Sequence, residues 1–437
     1  MIKEITKSEQ LLKRRKNVVA NGVGVFNTAT VSEAKGATII DADGNELIDF
    51  AGGIGVVNAG HCPEPVVAAI REQAGKYLHT SFNVVTYEPY IELCEVLTEI
   101  LPHGEKTKAM LVSTGAEAVE NAIKIARQAT KRPAVLCYTE AYHGRTLMAM
   151  TLTSKISYKY DCGPFAPEVY RLPFPNVYRY KGDRDEATFV KDELKRLHES
   201  ALNVVDIKTV AAIIVEPIQG EGGFYPIPKD YLIGLREFCD EHGVMLIFDE
   251  VQSGFCRTGH WASWQHYGVT PDISTYAKSM GSGLPIAAVV GRADVMDAAA
   301  SGSIGGTYIG SPVCCAASLA TIKYMKDIDL NQKGKDVGEK IMSRLLKLQK
   351  ECPEIGDVRG IGAMIGIEFV HNGDPTQPNS DLCDTIVKEC SKNSLIMLSA
   401  GTHKNIIRIL SPLVISDELL DKGMSILETV IKKSLSK

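Results

Sequence analysis

Val244-Met245-Leu246-Ile247-Phe248-Asp249 is an unbroken apolar run that ends on a carboxylate. A strand with one wet face would alternate apolar and polar residues. This run does not, so it predicts a short strand covered on both faces. Similar runs recur on either side, at Ala109 to Ser113, Ala134 to Tyr138, Val210 to Val215 and Ile286 to Gly291. Helical patterns separate them. Glu117 to Ala129 places Ala118, Ala122, Ile125 and Ala126 at three- and four-residue spacing, and Tyr231 to Glu241 reads as a helix too. Strands buried on both faces and joined by helices predict an α/β fold around a mostly parallel sheet.

The two ends of the chain have a different texture. Asp41-Ala42-Asp43-Gly44 is a turn between short β runs. Leu319 to Lys350 reads as one long helical stretch, residues 357 to 370 and 395 to 412 return to strands, and Asp417 to Lys437 closes with a helix. Residues 1–60 and 318–437 are therefore expected to form one smaller α+β domain around a large domain of residues 61–317. Gly373 to Pro378 is expected to be a surface loop.

Composition narrows the function classes. The chain has 437 residues, 45% apolar and 23% charged, with a net charge of −5. This is ordinary globular composition, not that of a disordered, collagen-like or coiled-coil chain. No apolar run approaches the roughly 20 residues that cross a bilayer. The acidic balance and the absence of any basic block beyond Lys13-Arg14-Arg15-Lys16 argue against nucleic acid as a partner. That run is expected on a solvated N-terminal helix. The first 16 residues lack the apolar core of an export signal, so a cytoplasmic protein with reduced thiols is expected. The eleven cysteines show no metal-ligand spacing, and no metal is expected. Cys314-Cys315, in an Ala-rich apolar run, should pack in the core.

Several residues stand where chemistry could be done. Asp249 ends a buried strand, and ligands of open parallel sheets sit at the carboxyl ends of strands. A carboxylate there can face a cationic cofactor nitrogen. Lys278 lies after a β-like run and before a glycine-rich turn, where an amine could form a Schiff base with an aldehyde cofactor. The cofactor that pairs a lysine with a carboxylate on a pyridine nitrogen is pyridoxal phosphate. Ser113-Thr114-Gly115-Ala116-Glu117 joins a strand to a helix N-terminus, a place suited to a phosphate. Gly305-Gly306-Thr307-Tyr308 could add donors. In Ala141-Tyr142-His143-Gly144-Arg145, Tyr142 can stack on a planar group and Arg145 can grip a carboxylate. The glycines of Glu216 to Gly223 allow tight turns that point a carboxylate inward. Arg408, in an apolar strand, needs a partner or ligand to offset its desolvation. Taken singly each has a bland alternative: a helix cap, a solvated lysine, an ordinary turn, a structural ion pair.

Together, and in this order, the stretches resemble the class III, or ω-type, aminotransferases of pyridoxal-phosphate fold type I, most closely their 4-aminobutyrate branch. The matching segments are Gly52 to Val56, Ser113 to Ala122, Ala141 to Thr146, Glu216 to Gly223, Asp249 to Gly254, Arg257-Thr258-Gly259, Ala277-Lys278-Ser279, Gly306-Thr307, Arg359 to Met364 and Arg408-Ile409-Leu410. They cover nearly the whole chain.

The resemblance implies a large domain with a mostly parallel seven-stranded sheet, and roles for individual residues. Lys278 would carry the cofactor covalently and then act as the base. Asp249 would hold the pyridine nitrogen protonated, Gln252 would bond the 3′-oxygen, and His143 would belong to the cofactor-binding set. Val251 and Tyr142 would sandwich the ring. Gly115 and Ala116 would bind the phosphate, joined by Thr307 of the other subunit, which implies a homodimer or a dimer of dimers. Arg145 would bind the carboxylate remote from the amine, with Ile54 shaping that end. Arg408 would bind the α-carboxylate of glutamate or 2-oxoglutarate, and Glu221 would cover Arg408 when an ω-amine is present. The implied reaction moves the amino group of 4-aminobutyrate to 2-oxoglutarate, giving succinic semialdehyde and glutamate. Alternatives are another ω-amine (5-aminovalerate, β-alanine, ornithine), or a racemase or aminomutase on the same scaffold. An isomerase would not need the Arg408–Glu221 switch.

Overall fold

The computed structural model describes residues 5–435. The apolar runs become one seven-stranded sheet, ordered Thr107–Val112, Ala287–Arg292, Ile273–Tyr276, Met245–Asp249, Val210–Val215, Ala134–Tyr138 and Val169–Leu172. Five neighbouring strands are parallel, and Ala287–Arg292 runs antiparallel to both its neighbours. The reversal has a local cause. A parallel return needs a crossover of about a dozen residues or more, and residues 277–286 hold only a 3₁₀ turn at Lys278–Gly281 and a left-handed Ser282.

Met245–Asp249 lies inside this sheet, paired with Ile273–Tyr276 on one side and Val210–Val215 on the other. Leu246, Ile247 and Phe248 are fully buried, each contributing roughly 1.5–3 kcal/mol of apolar transfer. The helix after Thr107–Val112 spans Gly115–Thr130 and starts earlier than its apolar stripe. Thr114 and Glu117 form a reciprocal capping box that fixes its first turn. Lys229–His242 ends at a left-handed Gly243.

The terminal segments build two four-stranded sheets. One joins Glu33–Lys35, Thr38–Ile40 and Glu46–Asp49 to Leu395–Ile396; the other orders Ile355–Ile361, Met364–Phe369, Ile406–Ile409 and Leu398–Ala400. The turn at Asp41 forms as expected, its carboxylate accepting the N–H groups of Asp43 and Asn45. The single helix expected over 319 to 350 is instead two, Pro312–Asp327 and Leu330–Glu351. Asp329 adopts φ 47° and caps the second helix by accepting from Gln332 N. A short polar side chain tolerates that conformation and competes with helix continuation. Cys314 and Cys315 are buried and free. The basic run at 13–16 lies on the helix Lys7–Val18, which buries nothing. The closing helix is described from Asp417 to Leu435; its last two expected residues lie outside the described ones. Among the described residues no helix is long and apolar enough to cross a membrane.

Candidate active site

A cavity of ≈ 670 Å³ opens at the carboxyl ends of the parallel strands. Gly115, Ala116, Tyr142, His143, Arg145, Glu221, Asp249, Val251, Gln252 and Lys278 all line it. Ten residues expected from the sequence to act together thus share one space. Arg408 reaches that space through Glu221. Ile54 and Thr307 are absent from the wall: Ile54 is half-buried beside it and Thr307 is exposed.

Asp249 is 5% exposed. Its Oδ2 lies 2.7 Å from His143 Nδ1, and its Oδ1 accepts from Val251 N at 3.1 Å and from Thr275 Oγ1 at 3.2 Å. The opposite ring nitrogen, His143 Nε2, is buried with no partner. Two loops are thereby locked to the end of one strand, with a carboxylate fixed in the cavity wall.

Lys278 follows Ile273–Tyr276 and has φ 49°. A left-handed conformation costs a residue with a side chain roughly 1–2 kcal/mol, and strain of this kind concentrates at functional sites. The turn is pinned where Ser279 Oγ donates to Gly55 O at 3.0 Å. Burial pushes the Lys278 amine below its ordinary value, against the opposing charges of Glu221 and Asp249.

At the other side of the cavity, Glu117 Oε2 accepts the N–H groups of Ser113 and Thr114. The next N–H groups, of Gly115 and Ala116, begin the helix and have no intrahelical acceptor, so they suit an anion. A Cβ on Gly115 would meet Val251 Cγ1 at 3.0 Å, and one on Gly144 would meet Ala116 Cβ at 2.7 Å. The small residues here are needed by close approach.

Glu216 is a member of the wall whose own role the sequence reading missed. It ends Val210–Val215 as Asp249 ends its strand, and that parallel was the available signal. Its two oxygens accept from Tyr142 N at 3.0 Å and Gly220 N at 2.9 Å. Burial, with Asp249 nearby, pushes it up to about 7 although His143 and these bonds oppose the shift. Gln252 Oε1 is buried and unpartnered.

Arg408 is 3% exposed, pairs with Glu221, and keeps a buried Nε without a hydrogen-bond partner. Burial works to raise the Glu221 carboxyl, but Arg408 outweighs it and, with Lys278 and Lys155, leaves the group below its ordinary value. The loop bearing Glu221 is tied down at two carbonyls. Glu221 O accepts from Gly401 N at 2.9 Å, and Gly223 O accepts from Arg359 Nε at 3.0 Å and Nη2 at 2.6 Å. Arg145 is exposed at the mouth, where its Nε donates to Tyr142 Oη at 3.3 Å. Lys155 and Tyr158, from a segment with no periodic signal, stand beside it. Ile54 belongs to a left-handed turn, Gly52–Gly55, with φ 54°, 62°, 68° and 71°. A β-branched residue in that region is a genuine outlier.

The arrangement offers a desolvated amine, an anion cradle, a fixed carboxylate and two guanidinium groups, one open and one covered by an acid. Residues 18–431 match the family model described as aminotransferase class-III. The chain is 46% identical over 422 residues to the 5-aminovalerate aminotransferase DavT of Pseudomonas putida, covering 96% of this chain and 97% of that relative. It is 43% identical over 421 residues to the 4-aminobutyrate aminotransferase GabT of Escherichia coli, covering 96% and 97%. Among solved structures, an amine transaminase from an uncultivated Pseudomonas species in its PLP-bound form superposes with a TM-score of 0.89 at 29% identity, covering 95% of this chain and 98% of that one. The ornithine aminotransferase of Toxoplasma gondii does so with a TM-score of 0.85 at 29% identity, covering 98% and 96%.

Proposed function

The chain belongs to the class III aminotransferases, pyridoxal-phosphate-dependent transaminases, and on that premise we propose that it moves the amino group of 4-aminobutyrate to 2-oxoglutarate, giving succinic semialdehyde and glutamate. The observation that carries this reading is Arg408, buried and covered by Glu221 on the wall that also holds Lys278. 4-Aminobutyrate has one carboxylate and glutamate has two. A site serving both in turn must cover a second cation for one and uncover it for the other. Leaving a buried guanidinium unpaired costs about 3–5 kcal/mol, so a movable acid is the economical solution. In this reading Arg145 takes the remote carboxylate of either substrate, with Ile54 shaping that end, and Arg408 takes the α-carboxylate after Glu221 swings away.

The residues fit the cofactor. His143 Nε2 and Gln252 Oε1 are buried polar atoms without partners, and the helix N-terminus at Gly115 and Ala116 suits a phosphate. When bound, pyridoxal phosphate supplies an aldehyde for the amine and a ring that takes up the electron pair left when the adjacent carbon loses its proton. Asp249, held by His143, would keep the proton on the ring nitrogen. Gln252 would meet the 3′-oxygen, and Val251 and Tyr142 would enclose the ring. Lys278 Nζ would hold the cofactor between turnovers and, once freed, would serve as the base for the proton on the carbon bearing nitrogen. Its lowered pKa favours the neutral base this requires.

Thr307 and Ile54 lie off the cavity of the single chain, and in the proposed homodimer Thr307 serves the partner subunit's phosphate. We read residues 61–317 as the large cofactor domain and 1–60 with 318–437 as the small one, in a cytoplasmic enzyme; eleven free cysteines agree with a reducing compartment. A second reading, 5-aminovalerate as donor, is favoured by the Pseudomonas putida relative, since one methylene is worth only about 1–3 kcal/mol of discrimination.

The test is the visible absorption of cofactor-loaded protein, followed as one amine is added with no keto acid. Loss of the band with 4-aminobutyrate supports the proposal. Loss only with 5-aminovalerate, β-alanine or ornithine changes the donor and keeps the chemistry. No visible band after loading overturns the assignment of Lys278.

A further inference from the structure

Tyr158 ends a short 3₁₀ turn, Ile156–Tyr158, and is half-buried beside the cavity. Its ring lies under the Arg145 guanidinium, with 4.6 Å from Cζ to the centroid, and meets the Tyr142 ring edge-on at 5.3 Å. Tyr142 Oη accepts from Arg145 Nε, so Arg145 is seated on two tyrosines. The Tyr158 hydroxyl donates a long hydrogen bond, 3.5 Å, to Glu221 Oε2 and also faces the Arg145 guanidinium. The second Glu221 oxygen is the one paired with Arg408. Lys155 Nζ lies 5.5 Å from the same ring centroid and donates to Gly401 O, while Gly401 N donates to Glu221 O. One side chain therefore touches both groups to which opposite tasks fall: the open cation and the acid that covers the hidden one.

We infer that Tyr158 is a specificity-determining positioning residue: its hydroxyl holds Glu221 over Arg408, and its ring seats Arg145 for the remote carboxylate. The inference rests on the transaminase reading above. Its consequence is asymmetric. With an ω-amine donor Glu221 stays in place and the hydroxyl counts. With glutamate Glu221 leaves Arg408 and that hydrogen bond is given up, so the hydroxyl keeps only its contact with Arg145, which both substrates share. The ring matters to both, because both substrates carry a remote carboxylate.

The experiment compares wild type, Tyr158→Phe and Tyr158→Leu as cofactor-loaded enzymes. Single-turnover half-reactions are run with glutamate and with whichever ω-amine the wild type uses. Cofactor content, melting temperature and the dissociation constants of butyrate and glutarate are measured alongside. For Tyr158→Phe, kcat/KM for the ω-amine relative to glutamate should fall about three- to tenfold, the size of one weak hydrogen bond to a charge. Butyrate should weaken relative to glutarate in the same sense. Tyr158→Leu should in addition raise KM for both donors by about two- to fivefold, the size of an exposed cation–π contact. Equal changes for the two donors in Tyr158→Phe, or none, overturn the inference. The Phe variant keeps the ring and decides the matter even if the Leu variant does not fold. A wild type that consumes no ω-amine overturns the ω-amine reading on which the inference rests, which is a different result from an unchanged ratio.

Discussion

Replacing Glu221 by Gln keeps the shape of the lid over Arg408 and removes its charge. In the proposed switch the Arg408–Glu221 pair is intact in the complex with an ω-amine, and in the complex with glutamate it is broken and the substrate's α-carboxylate takes its place. The ratio of the two specificity constants therefore reports the strength of the pair, whatever the free enzyme does with its solvent. Arg408 is 3% exposed and has a further unpartnered nitrogen, so little water is at hand to replace the lost charge. Removing a partner from a buried pair outright costs about 3–5 kcal/mol. An amide still accepts a hydrogen bond, which brings the loss to about 1.5–3 kcal/mol. At about 1.4 kcal/mol per decade this is roughly 10- to 150-fold in the ratio, in favour of glutamate. The assay is stopped-flow absorbance of the loaded enzyme with each donor separately, under single-turnover conditions. At neutral pH the wild-type Glu221 carries its charge, since Arg408 holds it below the usual carboxylate range. Equal losses with both donors, with the melting temperature unchanged, would refute the switch.

Lys278→Ala should cut turnover by at least a factor of about 10³ while pyridoxal phosphate still raises its melting temperature; measurable steady-state transamination would contradict the assignment. Arg145→Met should lower kcat/KM roughly 10- to 150-fold for donors with a remote carboxylate, the worth of a charge-assisted contact, and leave a simple primary amine unaffected. Equal losses for both would remove Arg145 from substrate binding. Glu216 sits above its ordinary value of 4.5, at about 7. A raised folded pKa gives stability present at low pH and lost as pH rises through that interval. The melting temperature of the unloaded wild type should therefore fall more between about pH 4.5 and 7 than that of Glu216→Gln. Gly338→Ala, in the helix Leu330–Glu351, would ordinarily gain about 1 kcal/mol of propensity. Here the new Cβ would lie 2.1 Å from Gly362 O, so a loss of about 1–3 kcal/mol is expected in denaturant unfolding.

What could be read in the sequence was what one-dimensional pattern encodes. Met245–Asp249 and Ala134–Tyr138 were legible because strands covered on both faces leave unbroken apolar runs. The direction of Ala287–Arg292 was not, since an apolar run looks the same in either direction and the reversal depends on a short turn around Lys278. The break at Asp329 was hidden because both flanking helices continue an amphipathic pattern. In the site, Asp249, Lys278 and Gly115 stood at ends and starts of elements, where position alone suggests chemistry. Tyr158 and Lys155 come from a loop, and their link to Glu221 and Arg145 is made by contacts that leave no spacing signal. Ile54 was named from resemblance and Thr307 from resemblance and its glycine-rich turn, and the single chain does not bring either to the wall.

Three carboxyl groups line one cavity with Lys278, and their surroundings divide the work among them. Glu221 has a buried guanidinium against it and stays charged, which suits it to the proposed role of a lid displaced by a second substrate carboxylate. Asp249 receives Val251 N, Thr275 Oγ1 and His143, a set of partners drawn from three segments that fixes its direction and not merely its position. Glu216 receives two backbone N–H groups and has no guanidinium against it, so burial outweighs the opposing pull of His143 and pushes it up to about 7. The cavity therefore need not hold three negative charges at once. Were Glu216 fully ionised, its repulsion would fall on Asp249, the nearer acid, and would weaken that carboxylate's grip on anything cationic it is meant to hold. A group that can keep its proton spares Asp249 this, while its two backbone bonds still clamp the loops of Tyr142 and Gly220 together. The same carboxyl group is thus suited to lid, anchor or clamp, and what separates the three is whether an Arg, a His or backbone N–H groups make the hydrogen bonds opposite it.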